Sequence, residues 1–515
     1  MKADYLYDIF VIGGGINGCG IARDAAGRGF SVFLAEKNDL ASGTSSASTK
    51  LIHGGLRYLE QYQFRLVRES LKERETLWKN APHIIWPLRF ILPCHENIRP
   101  PWLLRLGLFL YDHIGGRKAL PPTRELDLRF DDAGDVLKSH FVKAFEYSDC
   151  WVDDARLVIL NASDAADRGA SIHLHTEVVS AVFRGGVWEI VVRDSISGGE
   201  KKIRSKTIVN ATGCWMDLAL SKIFNEKSSH NMRLIQGSHI IIKKKFEHDR
   251  AYIFQNKDKR IFFAIPYCDQ YTLIGTTDRE YSGDPDKVTI DKEEIDYLCS
   301  CSSEYFSKPV TGKDVVASYS GIRPLYGVGK GKAQELTRDY ILQVKQIKSK
   351  MDKGFFINVL GGKITTYRKL AEAVMEKVEK ILGKSGKKWT AFTPLPGGDF
   401  SFNHFDHQVK KVKRCYPFLK DQHAYRLVRL YGTKVFTLLG KAKSEKDLGI
   451  IFHCDLTELE VRYLVKYEWA ITAEDILWRR TKCGLNFPKE KIKKLNAFLE
   501  KINKKNFLSL KKIKN

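Results

Sequence analysis

"DIFVIGGGINGCGIARDAAGRGFSVFLAEK", residues 8–37, is the stretch from which the fold is read. Ile9 to Ile12 form an unbroken apolar run, as a parallel strand covered on both faces requires. Gly13, Gly15 and Gly18 follow with GxGxxG spacing. The first allows a tight turn, the second lets the backbone approach a pyrophosphate, and the third brings helix and strand together. Unpaired N–H groups and the dipole at the start of the next helix favour an anion there. "SVFLAE" is the second strand, and Glu36 closes it where a carboxylate can accept hydrogen bonds from ribose hydroxyls. Strand, glycine turn, helix, strand and acid, in this order, predict a Rossmann-like dinucleotide site. The motif alone does not separate NAD from FAD. A later apolar strand, "KTIVNATGCWMDLAL" (206–220), ends in Thr212 and Gly213, a small pair that lets the chain close on a ligand. No second GxGxxG offers a place for a nicotinamide nucleotide. A tightly held FAD, reduced directly by bound substrate, is therefore the expected cofactor.

The bulk composition narrows the remaining classes. A chain of 515 residues that is 43% hydrophobic has material for large cores in more than one domain. Its ten cysteines are scattered, with no CxxC pair and no His/Cys ligand spacing, so neither a disulfide framework nor a metal site is expected. The N-terminus runs straight into a strand without a signal-peptide pattern. The most apolar run, "WLLRLGLFLY" (102–111), is broken by Arg105 and too short to span a bilayer. The net charge of +24 is uneven: from Ser401 onward 26 Lys and Arg stand against 12 Asp and Glu. Such asymmetry suggests an anionic partner surface, membrane or nucleic acid, although a solubilising surface explains the same charges. No nucleic-acid recognition motif is present, so no nucleic-acid partner is expected.

"TSSASTKLIHGGLRYLE", residues 44–60, follows the second strand and should cross the ligand crevice at the carboxyl ends of the strands. Thr44, Ser45, Ser46 and Ser48 can bond phosphates and ribityl hydroxyls, and Lys50 supplies positive charge. His53 and Arg57 are four apart and share a face if the run is helical there. Gly54 and Gly55 remove bulk beside a planar ring. A neutral imidazole near an arginine would be kept available as a base.

This stretch and "GGKITTYRKLA" (361–371) resemble the two signature motifs of FAD-dependent glycerol-3-phosphate dehydrogenases, with a likeness close to the aerobic, membrane-associated bacterial type and its mitochondrial relatives. The likeness continues through "FEYSDCWVDDARLV", "QGSHIII", "IGTTD", "YSGIRPL", "TRDY" and "DILWRRTKCG", so it covers nearly the whole chain. It implies oxidation of sn-glycerol 3-phosphate to dihydroxyacetone phosphate, with electrons passed from flavin to a membrane quinone. The implied cofactor-binding residues are Gly13, Gly15, Asn17, Gly18, Glu36, Thr44, Ser45, Ser46, Lys50, Gly54, Gly213, Thr277, Gly361, Gly362 and Thr365. Arg57, Tyr58, Arg323, Arg338 and Lys363 would bind substrate, since a phosphate dianion needs several cationic donors and arginine forks match it. His53 is the first choice for the base that takes the C2 hydroxyl proton, with His239 second, while Arg323 and Lys363 would also polarise the forming ketone. Thr276 and Asp278 are placed near the flavin with Thr277. After "NATG", where the family commonly has a small residue or proline, this chain has Cys214, expected to be a buried inert thiol.

The expected architecture is α/β. A discontinuous flavin domain (about 1–80, 150–220 and 350–388) and an antiparallel-sheet substrate domain (about 225–345) together make an oxidoreductase region, 1–388. "TPLPGGDF" (393–400) reads as a linker into a basic helical domain, 389–515. At its end Ile492, Leu495, Phe498, Leu499 and Ile502 fall at helical spacing with lysines between, a pattern that fits a helix on anionic lipid or one packed on its own domain. Trp102–Tyr111 is a second candidate for membrane contact. The resemblance implies a peripheral protein on the cytoplasmic face of the plasma membrane, and leaves room for a homodimer. An oxidase passing electrons to oxygen, an enzyme for another phosphorylated polyol, and a non-catalytic lipid-binding flavoprotein are the competing readings.

Overall fold

The computed structural model describes residues 5–94, 100–117, 119–226, 232–256, 258, 260–327, 339–348 and 352–512, with side chains described to residue 502. The opening motif forms β1 (Leu6–Ile12), α1 (Ile16–Gly27) and β2 (Val32–Ala35). β1 lies between β2 and the strand Glu200–Asn210, parallel to both, and Glu200–Asn210 pairs in parallel with Lys353–Gly361. Ser171–His173 extends the sheet beyond β2, and Tyr340–Lys348 closes the other edge antiparallel. Ile9, Phe10 and Val11 are fully buried because helices cover one face of the sheet and an antiparallel hairpin the other. α1 packs against α4 (Asp154–Asp167) and the helix Tyr367–Leu382, so three segments far apart in sequence share one core.

A second sheet stands across the crevice. Its spine is Met232–Lys243, paired antiparallel with Val315–Tyr326 on one side and Tyr271–Gly275 on the other. The sheet continues through Ile261–Tyr267, Ala251–Gln255, Ile85–Pro93 and Lys143–Val152 to the short strand Leu51–Ile52. It therefore draws on residues before 225 as well as on 225–345, while Tyr340–Lys348 joins the flavin sheet. The helix Lys292–Tyr305 packs on one face, and α2 (Phe64–Asn80) with α3 (Pro101–Ile114) on the other.

The C-terminal helices Phe405–Cys415, Asp421–Tyr431, Glu458–Glu468 and Lys489–Lys512 surround a core of their own. The 393–400 stretch is a tight crossing: a Cβ at Gly397 or Gly398 would collide with the Tyr431 or Asn80 carbonyl. The seam to the flavin domain is ionic and buried. Glu468 receives Arg156, Asp39 receives Arg479 at 2.6 Å and Arg480, and Lys482 stands 3.6 Å from Asp153 and Asp154. Such pairs hold only because each charge has a partner.

Candidate active site

The crevice between the two sheets has a volume of about 400 Å³. Its floor is the glycine turn. Gly13 has φ +109°, and a Cβ there would come within 2.7 Å of the Ala211 carbonyl oxygen; a Cβ at Gly18 would strike the Gly13 carbonyl. Gly18 thus serves packing and stands behind the crevice, whereas Gly13, Gly15 and Asn17 line it. The Ser45 hydroxyl accepts from Ile16 N at 3.0 Å, so the 44–60 stretch caps the very helix end where a pyrophosphate would sit. Glu36 accepts from Gly14 N at 2.6 Å and Asn38 N at 2.8 Å; burial raises its pKa and these two bonds oppose the rise. Gly213 (φ +60°), Gly361 (φ +71°) and Gly362 (φ +97°) bring backbone to the walls in conformations that favour glycine. Asn17 donates to the Gly361 carbonyl at 3.3 Å and keeps a buried Oδ1 without a partner, a group suited to a ligand N–H or O–H. These features fit FAD.

The same crevice is lined by His53, Tyr58, His239, Arg323, Lys363 and Thr365. Gly237 leaves space for the Arg323 guanidinium, and Gly275 for the His239 ring. Arg323 donates to the Thr277 carbonyl at 2.6 Å and pairs with Asp278 at 2.9 Å. Lys363 Nζ lies 4.3 Å from the centre of the Tyr58 ring and 3.4 Å from Ser70 Oγ. His239 is 2% exposed, stacks on Tyr319 and shares a 2.9 Å hydrogen bond with Thr49, while its Nδ1 is buried without a partner. Burial, then the charges of Lys50 and Arg323, push its pKa well below that of free histidine, so the ring is neutral.

Several predicted residues face elsewhere. Lys50, expected to supply positive charge at the cofactor, has its amine instead paired with Asp154 at 2.9 Å, both groups buried, and donating to the Ser46 carbonyl. Burial pulls its pKa down against that pairing. Lys50 braces the turn from behind, and Ser46 lines a neighbouring cavity instead of the crevice. The Thr277 side chain turns inward to Glu294 at 2.6 Å, whereas Thr276 lines the crevice. Gly54 lies behind the crevice wall, packed on Leu71 and Tyr111. His53 and Arg57 share no helical face, because the chain passes through Gly55 at φ +79° before a single 3₁₀ turn, Leu56–Leu59. Among the described residues lining the crevice, that turn contributes Tyr58 and not Arg57. Arg338 lies outside the described residues. Cys214 is 9% exposed, and burial pushes its thiol up to about 12, the behaviour of an inert cysteine. Thr49 and Gly237 escaped the sequence reading, although both lie inside stretches already quoted for other residues.

Comparison with known proteins agrees with this geometry. The profile described as FAD dependent oxidoreductase matches residues 8–343, and the one described as C-terminal domain of alpha-glycerophosphate oxidase matches 388–505. Glycerol-3-phosphate dehydrogenase of Pseudomonas aeruginosa is 48% identical, covering 96% of this chain and 95% of its own length. The chain belongs to the FAD-dependent glycerol-3-phosphate dehydrogenase family. Its Escherichia coli relative, aerobic glycerol-3-phosphate dehydrogenase, is 46% identical over 93% of this chain and 94% of that protein. D-erythritol 1-phosphate dehydrogenase of Brucella abortus is 50% identical over 92% and 94%. The structure of glycerol-3-phosphate dehydrogenase from Bacillus halodurans, complexed with FAD, superimposes with a TM-score of 0.73 at 27% identity, covering 97% of this chain and 95% of that one. FAD is the cofactor of this fold.

Proposed function

We propose that the protein oxidises sn-glycerol 3-phosphate to dihydroxyacetone phosphate. The observation that carries this reading is a single crevice whose walls combine the glycine turn at Gly13 and Gly15 with Arg323, Lys363, Tyr58 and two histidines. When bound, FAD supplies the hydride acceptor. Arg323 and Lys363 hold the phosphate and polarise the oxygen that becomes the ketone. Tyr58 keeps the lysine seated through its ring face. A histidine takes the hydroxyl proton: His53 stands beside the Tyr58 turn, and His239 is buried and neutral. Substitution of each by Asn separates them. The base loses about a hundredfold or more in kcat, with the acid limb of the pH profile removed, and the other loses far less.

The relative acting on D-erythritol 1-phosphate supports a second reading, a phosphorylated polyol one carbon longer, at the same residues. We further propose that the electrons pass to a membrane quinone and that α3 seats the protein on lipid. No helix among the described residues is long and apolar enough to cross a membrane. α3 turns Trp102, Leu103, Leu106, Phe109 and Leu110 outward; exposed Tyr62 precedes α2 and exposed Phe64 begins it, and α2 packs against α3.

The test is anaerobic. The flavin absorbance of the purified protein should bleach on adding sn-glycerol 3-phosphate and return much faster with a short-chain quinone than with air. Return fastest in air makes the protein an oxidase. Bleaching by D-erythritol 1-phosphate alone selects the second substrate, and no bleaching by either overturns the substrate class.

A further inference from the structure

Gly54 sits between His53 and the Tyr58 turn, yet its amide points away from the crevice into a buried polar cluster. The N–H donates to the Tyr111 hydroxyl at 2.8 Å and reaches Asp149 Oδ1 at 3.3 Å. That hydroxyl lies 2.8 Å from each oxygen of the Asp149 carboxylate, to which it donates. Arg74 donates to Asp149 at 2.6 Å and to the Ser148 carbonyl at 2.7 Å. Arg74, Asp149 and Tyr111 are 2%, 2% and 1% exposed, and none has a part in the chemistry above. They come from three elements: Tyr111 from α3, Asp149 from Lys143–Val152 and Arg74 from α2. On the other side, the Thr365 hydroxyl lies 3.3 Å from both the N–H and the carbonyl of His53. The His53–Gly54 peptide is therefore gripped from the flavin wall and from the core. Gly54 has no slack, since a Cβ there would come within 2.7 Å of the Tyr111 hydroxyl.

Apolar packing alone would seat α3 as firmly, and burying a carboxylate and a guanidinium is costly unless both are fully paired. What the polar trio adds is direction: hydrogen bonds of fixed length and angle aimed at one amide. α3 carries Tyr111 on its buried face, with Leu104 and Leu108, and its exposed apolar residues on the other. A shift of the helix along its seat would move the hydroxyl under Gly54. We infer that Tyr111, Asp149 and Arg74 are positioning residues that set the His53–Tyr58 segment in the active site and tie its placement to the seating of α3. The inference rests on reading the crevice as a phosphopolyol site, where a misplacement of about 1 Å costs on the order of a hundredfold in rate.

Tyr111→Phe in the full-length, flavin-loaded protein tests it, because the ring and its packing stay and only the hydroxyl goes. With sn-glycerol 3-phosphate, kcat should fall at least tenfold while KM moves less than threefold. Amide hydrogen exchange should accelerate at least tenfold in the 51–60 peptide and not in the flavin sheet. Unchanged kcat overturns the positioning role whatever the exchange shows, because a merely structural bond would behave that way. If no phosphopolyol reduces the wild-type flavin, the functional reading has failed, and exchange alone decides: acceleration confined to 51–60 supports the cluster, and none overturns it. Should the variant fail to take up flavin, the wild-type Gly54 amide decides. Exchange as slow as the central strands supports the inference, and exchange within seconds overturns it.

Discussion

α3 and the C-terminal helix Lys489–Lys512 carry the same kind of pattern and end in opposite surroundings. Both place large apolar residues at helical spacing. In the C-terminal helix that stripe is covered by protein: Leu495 is 0% and Leu499 2% exposed, in the core formed with the neighbouring helices. Its lysines at 491, 493, 494 and 501 face solvent. α3 buries Leu104, Leu108 and Tyr111 and still leaves Trp102 at 67% and Phe109 at 58% exposure. Over residues 489–502, where its side chains are described, the C-terminal helix has one apolar face and a partner for it. α3 is apolar on two faces and has a partner for one. Amphipathic spacing says that a face leaves water, and not whether protein or lipid receives it.

The contrast breaks most visibly in stability. Leu495→Asp places a carboxylate in a dry core and removes a leucine from it, so unfolding free energy should drop by about 4 kcal/mol or more by denaturant titration. Tolerance of that change within about 1 kcal/mol would mean that the helix is not held by its own domain. The same chemistry on α3 should leave stability nearly untouched and act on lipid. Trp102→Glu with Phe109→Glu removes two aromatic anchors, each contributing about 1.5–3 kcal/mol on burial, and should lower partition into anionic vesicles by about a hundredfold or more. Sedimentation with vesicles reads it, and unchanged binding removes α3 as the proposed lipid contact. The smallest effect should come from Lys493, Lys494 and Lys501 changed together to Gln. A helix lying on anionic lipid would lose about 1 kcal/mol per lysine, close to a hundredfold in all, whereas a helix facing solvent should change vesicle binding less than threefold.

The same division runs through the site. Gly13, Gly15 and Glu36 stand where the sequence puts them, because a strand, a turn and a helix start are set by neighbours within one βαβ unit. Lys50 was misplaced because its partner, Asp154, is 104 residues away, and nothing within the 44–60 stretch tells which side of the turn a lysine takes. Thr277 goes inward for the same reason, captured by Glu294. His53 and Arg57 share a face only if the run is helical there, and Gly55 takes a left-handed φ that stops the helix before it begins. The strands at 51–52, 85–93 and 143–152 join the second sheet through pairings that no local periodicity reveals.

By itself, then, the sequence determined the flavin fold, the cofactor and the family, because glycine spacing, apolar runs and long motifs encode local backbone geometry that only one kind of site uses. The tertiary structure alone decided which polar side chains face the crevice and which brace it from behind, and which amphipathic helix is already covered. Those choices depend on partners that folding brings together from distant parts of the chain. Burial makes each pairing selective, since a charge or hydroxyl left without its partner in the interior would cost more than the fold can spare.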